Sequence, residues 1–443
     1  MIHVGQSQTS VATIVPVELL LYIFSSTSCQ RLPGPLPDDQ EGFSEFYKVI
    51  WGKVGYEKQV LTTVARVCRS WNHVATYLLY DLVFVTSAVS VELLLRTIYS
   101  EPWKRKSLRV SDIVFHPNDG ISFTTEGNAT TKAMISAMRS FPSTTRLHLY
   151  TKAFYFPQSH QSFTDMNNMT SLHLENPGTL PSLILRDRGP LVTMWHDLTH
   201  ISRLRNLHTL SLHGILVREK EFTTDTFPSL VRLKLTECWF PPDFMLENYG
   251  WTGDAERIDL RLSYLYMSGI CDGWRFLQNV LRASAETLES LALAELEFTY
   301  PRQLDVEPEF HVLAYDSYVP PRVRQQLPYL PRLRKLFLTD TFFLSSFPIL
   351  RIPLSVEELS VFSHRRYPRG GTQTWRIYEI ITDVLDLGEG DFKLMNINVA
   401  DKYTGWGDVV LKGLLKRCAE LGINFKADLR DVCDDFRWNL ARD

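Results

Sequence analysis

The most constraining feature of this 443-residue sequence is a short apolar alternation, Leu-x-Leu, that returns along most of its length. It occurs in segments such as TRLHLY, LHTLSLH, LVRLKLT and LRKLFLT. Alternation of this kind predicts a short β-strand with one buried face. The sequence therefore predicts an array of such strands, with anchor residues at Leu147, Leu172, Leu210, Leu233, Ile258, Leu291, Leu336, Leu359, Ile397 and Ile423.

Successive anchors lie 23 to 45 residues apart. The short steps match the repeat length of about 20 to 29 residues that is typical of leucine-rich repeats, and the longer steps indicate insertions. Helical patterns fill several of the gaps. We expect helices in NATTKAMISAMRSF from Asn128, in DGWRFLQNVLRASA from Asp272, and in TWRIYEIITDVLDL, which ends at Gly388.

A doubly wound parallel sheet is the rival architecture for alternating strands and helices. Its strands are covered on both faces and read as nearly continuous apolar runs. Here Arg232 and Lys234 flank Leu233, so one face of the strand is predicted to be wet. Several repeats place a small, sulfur or hydroxyl residue and then a large apolar one after the strand, as in Cys238 with Phe240 and Thr341 with Phe343. This arrangement resembles irregular leucine-rich repeats of the cysteine-containing type.

The polar residues between the strand leucines are predicted to share one concave surface in a horseshoe. Its central part is cationic, which suits an acidic or phosphorylated peptide. One alternative is that these charges only keep an exposed sheet soluble. Another is that His148, His173 and His213 form a ladder that binds metal or senses pH. The predicted surface consists of Arg146, His148, Tyr150, Ser171, His173, Glu175, Thr209, Ser211, His213, Arg232, Lys234, Thr236, Arg257, Asp259, Arg261, Lys335, Phe337 and Thr339. Target binding is assigned to Arg232, Lys234, Arg257 and Arg261.

The N-terminal segment IVPVELLLYIF, residues 14–24, has a different character. Pro16 and Glu18 fit the first turn of a helix. The apolar residues that follow surround the helix axis, so this helix lies either deep in a core or between two proteins. A second helix is predicted in LTTVARVCRSWNHVATYLLY, where apolar residues recur every three or four positions.

Together these two segments resemble the F-box, a helical module that docks substrate receptors onto the Skp-type adaptor of cullin-RING ubiquitin ligases. Residues 25 to 60 separate the two halves, a longer connection than is usual in that family. Long surface loops cost little closure entropy, so the insertion is compatible with the module. The resemblance implies adaptor contacts through Pro16, Glu18, Leu19, Leu20, Ile23, Phe24, Val67, Cys68 and Trp71, and the matching positions extend to Leu79 and Tyr80.

The expected fold class is α/β, with an N-terminal helical F-box followed by an irregular leucine-rich-repeat-like α/β solenoid, or horseshoe. We place the F-box at 14–80 with an insertion at about 25–60, the solenoid at 81–430 and a C-terminal tail at 431–443. The resemblance implies a substrate-recognition subunit of a Skp-cullin-F-box ligase, whose partners are the adaptor and an acidic or phosphorylated protein. A repeat scaffold without a ligase role and an α/β enzyme are the alternatives.

Composition excludes several other classes. The net charge of −3 offers no electrostatic basis for binding nucleic acid or anionic membrane. No apolar run is long enough for a transmembrane helix, and a signal peptide is not expected, so the expected location is cytoplasmic or nuclear. HDLTH at 196–200 lacks the glutamate and third ligand of a zinc protease, and no phosphate-binding loop or nucleophile elbow occurs. No catalytic, metal or cofactor site is predicted.

Overall fold

The computed structural model describes the chain in separate ranges. The described residues are 16, 19–20, 59–85, 87–100, 110–115, 140–141, 143–150, 166–175, 204–215, 217, 222–236, 238, 240, 258–268, 273–294, 327–339, 352–363, 381–382, 384–386, 393–401 and 408–427. The chain divides into two compact units, one of Met1–Tyr150 with Asp434–Asp443 and the other of Thr151–Cys433. The domain boundaries expected from the sequence remain predictions.

The first unit contains helices α1 (Arg69–Asp81) and α2 (Ala88–Ser100) and strands β1 (Leu82–Val85), β2 (Asp112–Phe115) and β3 (Arg146–Tyr150). The three strands pair in parallel in chain order. The sequence predicted one helix across residues 61–80, which is wrong in its middle. Residues 59–64 are helical, 65–67 turn, and Cys68 is extended with φ −160° and ψ 172°, so α1 starts anew at Arg69.

The second unit contributes a parallel arrangement of strands whose order follows the chain. These are β4 (Ser171–Glu175), β5 (Thr209–His213), β6 (Arg232–Thr236), β7 (Tyr264–Ser268), β8 (Ser290–Ala294), β9 (Lys335–Thr339), β10 (Glu358–Ser363), β11 (Asn396–Asp401) and β12 (Asn424–Ala427). Helix α3 (Trp274–Ala283) lies between β7 and β8, and α4 (Asp408–Glu420) lies between β11 and β12. The mixed α/β class expected from the sequence is confirmed, and the structure shows that the strands are parallel.

One buried pattern recurs at the strands of the second unit. From β4 to β11, an apolar residue three positions before the anchor, the anchor itself and the residue two positions after it are all buried, with Leu265 rather than Ile258 as the anchor of β7. In β5 these are Leu207, Leu210 and Leu212. A tight backbone turn precedes the strand, where the Leu207 N–H donates to the Leu204 carbonyl over 3.0 Å. The apolar face of every strand from β4 to β11 therefore belongs to the core.

Helix α3 shows why a gap between strands becomes helical. Its buried residues Phe276, Leu277, Val280 and Leu281 follow helical spacing, while Arg275 and Arg282 are exposed. The residue at its N-cap is Gly273, which makes no side-chain cap.

Helix α4 was not predicted from the sequence, whereas two of the expected helices lie partly or wholly outside the described residues. Helix α4 is followed closely by Gly422, whose φ of 72° suits glycine. Part of the helix expected to end at Gly388 is described at 381–382 and 384–386. The helix expected from Asn128 lies outside the described residues.

Candidate functional site

The N-terminal helix of the chain is described at Pro16, Leu19 and Leu20. The Leu20 N–H donates to the Pro16 carbonyl over 3.1 Å, which is the spacing of an α-helical turn. Leu20 is 1 % exposed and packs in one cluster with Leu61, Val74 and Ala75. The helix is therefore joined to both later helical segments across the long insertion.

Two residues of the F-box resemblance, Trp71 and Leu79, pack against this cluster. Trp71 is partly buried and packs against it, as do Val64, Ala65, Leu78 and Leu79. Leu19 and Val67 are 48 % and 50 % exposed although both are large and apolar. Leu20 is thus a core residue of its own unit, and its burial leaves almost none of its side chain to contact an adaptor.

The remaining predicted adaptor residues divide into two groups. Pro16 is exposed, and Cys68 is half-buried at the start of α1, where the Asn72 N–H donates to its carbonyl over 2.8 Å. Glu18, Ile23 and Phe24 lie outside the described residues. The sequence places apolar residues on all sides of the opening helix, and the burial of Leu20 in the helical core accounts for one of these sides.

The second candidate site is the face of the second unit's strands that carries no anchor leucines, which we call the polar face. Strand pairing aligns its residues in columns. Ser211 on β5 pairs with Lys234 on β6, which pairs with Tyr266 on β7. The predicted surface residues of β4, β5, β6 and β9 occupy positions of this face: Ser171, His173, Glu175, Thr209, Ser211, His213, Arg232, Lys234, Thr236, Lys335, Phe337 and Thr339. Within the first unit, Arg146, His148 and Tyr150 take the corresponding positions on β3.

The strand predicted around Ile258 is wrong. Leu265, not Ile258, pairs with Leu233, so the strand begins at Tyr264. The segment that starts at Ile258 approaches β7 as irregular backbone, although Ile258, Leu260 and Leu262 are all buried. The alternation of these three residues has the period of a strand, which explains the false prediction.

The last predicted anchor also shifts by two residues. Phe425, rather than Ile423, pairs with Ile397 of β11. Because a shift of two residues keeps side chains on the same face of a strand, the prediction of a strand here stands, and only its register changes.

The shift at β7 changes the predicted target-binding set. Arg261 is exposed ahead of β7, so it is not on the polar face, and Arg257 lies outside the described residues. Of the four predicted target-binding residues, Arg232 and Lys234 remain on the face.

Asp259, another predicted surface residue, has a structural role next to Arg261. It accepts hydrogen bonds from the Thr224 N–H at 2.7 Å and from the Thr224 hydroxyl at 2.5 Å. Burial would raise the pKa of Asp259, but these hydrogen bonds and the nearby guanidinium outweigh burial and lower it. Asp259 therefore ties the approach to β7 to the segment before β6.

Two tyrosines that the sequence prediction missed contact the two remaining cations. The ammonium nitrogen of Lys234 lies 4.7 Å from the centre of the Tyr266 ring. The guanidinium carbon of Arg232 lies 6.0 Å from the centre of the Tyr264 ring. Both distances fall within the range of cation–π attraction. The signal was present in SYLYMS, whose alternation is a strand pattern with Tyr264 and Tyr266 on one side.

Buried hydroxyl groups lie beside the cations on the polar face. Ser211 is 7 % exposed and Thr236 is 2 % exposed. Neither the Ser211 Oγ nor the Thr236 Oγ1 has a hydrogen-bond partner within the part of the chain that the structure describes. Lys234, which neighbours both, is 9 % exposed. The face therefore combines buried hydroxyl donors with a buried positive charge.

Cys238 and Phe240, which were predicted to follow a strand, are both buried in the core. Cys238 is buried, and its Sγ lies 3.4 Å from the Leu212 and Thr236 carbonyl oxygens. Phe240 packs on Phe276 of α3, with ring centres 4.8 Å apart. Thr341, Phe343 and the HDLTH segment lie outside the described residues.

His213 does not pair in register with His173, the ladder histidine on the neighbouring strand β4. His173 pairs with Ser211, while His213 pairs with Glu175 one alternation further along. In the described ranges, no three His, Cys, Asp or Glu side chains are grouped so that they would hold a metal ion. The described residues therefore give no support to a metal-binding ladder.

Within the described ranges, no helix has the length and apolar character needed to cross a lipid bilayer. No known family model matches the chain, and no curated protein sequence matches it either.

Proposed function

We propose that the chain is the substrate-recognition subunit of a Skp-cullin-F-box ubiquitin ligase, with an F-box at its N-terminus and a leucine-rich-repeat-like receptor after it. The observation that carries this proposal is the contrast between Leu20 and its neighbour Leu19. Leu20 closes a helical core with Leu61 and Val74, whereas Leu19 is about half exposed. A helix with both a core side and an exposed apolar side is suited to bind a partner protein.

The second unit supports the receptor half of the proposal. Its strands repeat a three-residue buried pattern and follow one another in parallel, as stacked repeats do. Repeats of this kind present one face of consecutive strands to a ligand. The polar face carries Arg232 and Lys234, so we propose that it binds an acidic or phosphorylated segment of the target. The chain itself performs no chemistry in this proposal; it positions the target near a ubiquitin-charged enzyme.

The adaptor half is tested by binding of the full chain to a purified Skp-type adaptor. Leu19→Asp together with Val67→Asp places charges on two exposed apolar positions beside the helical core, and we expect at least a tenfold loss of affinity. The matched control is Val89→Asp on α2, because Val89 is also apolar and is 62 % exposed but lies outside the expected F-box. Equal affinity of the double variant and the control would contradict adaptor binding at this site.

The ligase role is tested separately from adaptor binding. The full chain, assembled with adaptor, cullin and RING subunits, should promote ubiquitin transfer to a captured target, and the Leu19→Asp, Val67→Asp variant should not. Normal adaptor binding without any ubiquitin transfer would favour the alternative, a repeat scaffold without a ligase role. Target capture is tested by Arg232→Glu, with Arg261→Glu as its control because Arg261 is exposed ahead of β7 rather than on the polar face.

A further inference from the structure

Four polar residues form a compact square on the polar face of β5 and β6. Ser211 pairs with Lys234, and His213 pairs with Thr236 in the same register. Neighbouring strands are about 4.8 Å apart, and side chains two positions apart on a strand share a face. Ser211, His213, Lys234 and Thr236 are therefore adjacent, and we call them the hydroxyl square.

The two hydroxyls of the square carry an energetic cost in the folded protein. Ser211 and Thr236 are more than nine-tenths buried, and neither hydroxyl finds a hydrogen-bond partner among the described residues. Leaving a buried donor unsatisfied destabilises a folded protein, so native proteins rarely do it without a reason. A bound group that accepts hydrogen bonds from both hydroxyls would remove this cost.

The charge around the square indicates which group fits. The Lys234 ammonium sits 4.7 Å from the Tyr266 ring centre, and Arg232 lies two residues before it on the same face of β6. One acidic residue, Glu175, is paired in register with His213 at the border of the square. Two cations on β6 and two hydroxyl donors favour an anion with several acceptor oxygens.

We propose that the hydroxyl square binds the phosphate of a phosphorylated serine or threonine in the target protein. A phosphate monoester has three acceptor oxygens and carries a charge of about −1.5 to −2 at pH 7. Ser211, Thr236 and Lys234 supply three donor groups, one for each oxygen, and Tyr266 positions the ammonium. This inference rests on the receptor role proposed above and specifies which chemical group that receptor recognises.

A stability measurement separates a binding role of the hydroxyls from a structural one. If the hydroxyls are unsatisfied until phosphate binds, Ser211→Ala and Thr236→Val remove a destabilising feature from the free protein. We therefore expect the ligand-free double variant to melt at a higher temperature than the wild type. A lower melting temperature would show that the hydroxyls stabilise the fold by themselves, and it would overturn the proposal.

The binding experiment uses three peptide libraries with random flanks and a fixed central residue: phosphoserine, serine or glutamate. Binding to the full chain is measured by fluorescence anisotropy. We expect the phosphoserine library to bind at least tenfold more tightly than the other two. Ser211→Ala with Thr236→Val should abolish that preference. Thr209→Val, on the same face of β5 but outside the square, should retain it.

Inorganic phosphate distinguishes a peptide from a free ion as the source of the phosphate group. We expect inorganic phosphate to compete with the phosphoserine library only at concentrations at least a hundredfold above the peptide's dissociation constant. Equally tight binding of inorganic phosphate would overturn a phosphopeptide as the ligand. Equal binding of all three libraries would also overturn the proposal.

The adaptor measurement keeps this outcome apart from the proposed function. Absence of any phosphoserine preference, with intact adaptor binding and ubiquitin transfer, would leave the ligase role standing and reject only the phosphate site. Absence of adaptor binding by the unaltered chain would instead reject the ligase role, and the phosphoserine preference would still be decided by the peptide libraries.

Discussion

The Lys234 ammonium lies 4.7 Å from the centre of the Tyr266 ring, one strand away on the polar face. Strand register brings the two together, because Lys234 pairs directly with Tyr266. The pair also explains how a lysine that is only 9 % exposed is kept in this sheet, since its charged head rests on an aromatic face. The cation is thereby held at one place on the proposed receptor surface.

A double-mutant cycle tests the energy of this pair. Lys234→Met and Tyr266→Leu, singly and together, should show a favourable coupling of about 0.5 to 2 kcal/mol in urea unfolding, because the attraction is partly desolvated. Tyr266→Phe retains the aromatic ring and should keep most of the coupling to Lys234. Coupling that vanishes with phenylalanine would show that the tyrosine hydroxyl, and not the ring, provides the interaction.

The polar face shows which part of the fold could be predicted from the sequence. The leucine anchors placed β4, β5 and β6 correctly, because alternation with polar partners is the local pattern of a half-buried strand. The position of β7 was mistaken, since Ile258, Leu260 and Leu262 alternate as a strand does. Only pairing with β6 decides between that segment and Tyr264–Ser268, and pairing is a non-local interaction.

The contacts that define the candidate sites were less predictable still. Leu20 and Leu61 are separated by the long insertion, and no local pattern shows that they share a core. The sequence did indicate that the opening helix buries more than one side, and Leu20 accounts for one of those sides. The partnership of Asp259 with Thr224 was also invisible, because both residues are ordinary surface types that meet only after folding.

The Asp259–Thr224 contact predicts a pH-dependent contribution to stability. Because the folded-state pKa of Asp259 is below the ordinary value of 3.8, its contribution is fully present above that value and is lost as the pH falls through the folded-state pKa. Asp259 is exposed, so we expect the contribution to stay below about 1 kcal/mol.

The measurement compares unfolding of wild type and Asp259→Asn at pH 7 and at about pH 3, which lies below the ordinary pKa of an aspartate. We expect the wild type to be the more stable at pH 7 and the difference to be smaller at the lower pH, because part of the contribution is lost there. Asp225→Asn, an exposed neighbour in the segment that holds Thr224, serves as the control. A difference that is constant with pH would contradict the proposed role of the carboxylate charge.

The ion pair between Arg146 and Asp112 predicts an asymmetric response to mutation. Arg146 pairs with Asp112 through both Nε and a terminal nitrogen, in strand register between β2 and β3. The Asp112 side chain is 3 % exposed and the Arg146 side chain is 36 % exposed. Arg146→Met should cost about 3 to 5 kcal/mol, because it removes the cation from a buried carboxylate.

Asp112→Asn should cost less, since the arginine it leaves behind can be hydrated. The exposed pair of Arg334 and Glu357 is the matched comparison, with N···O distances of 3.0 and 2.8 Å. Glu357→Gln should change stability far less than Arg146→Met, because water screens a surface pair. Chemical denaturation of the wild type and the three variants measures the order, and equal costs at both arginine-containing pairs would refute the argument from burial.

The adjacent leucines of the opening helix give the sharpest test of the N-terminal core. Leu20→Ala should leave a cavity among Leu61, Val74 and Ala75 and destabilise this core by about 2 to 5 kcal/mol. Leu19→Ala, at an exposed position one residue earlier, should stay within about 0.5 kcal/mol. Hydrogen exchange of the amides in Arg69–Asp81 reports this core specifically, because Val74 and Ala75 lie on that helix. Faster exchange in α1 for Leu20→Ala alone is the expected result. If both variants exchange like the wild type, the segment around Leu20 does not stabilise α1, and the link between the two halves of the expected F-box would be lost.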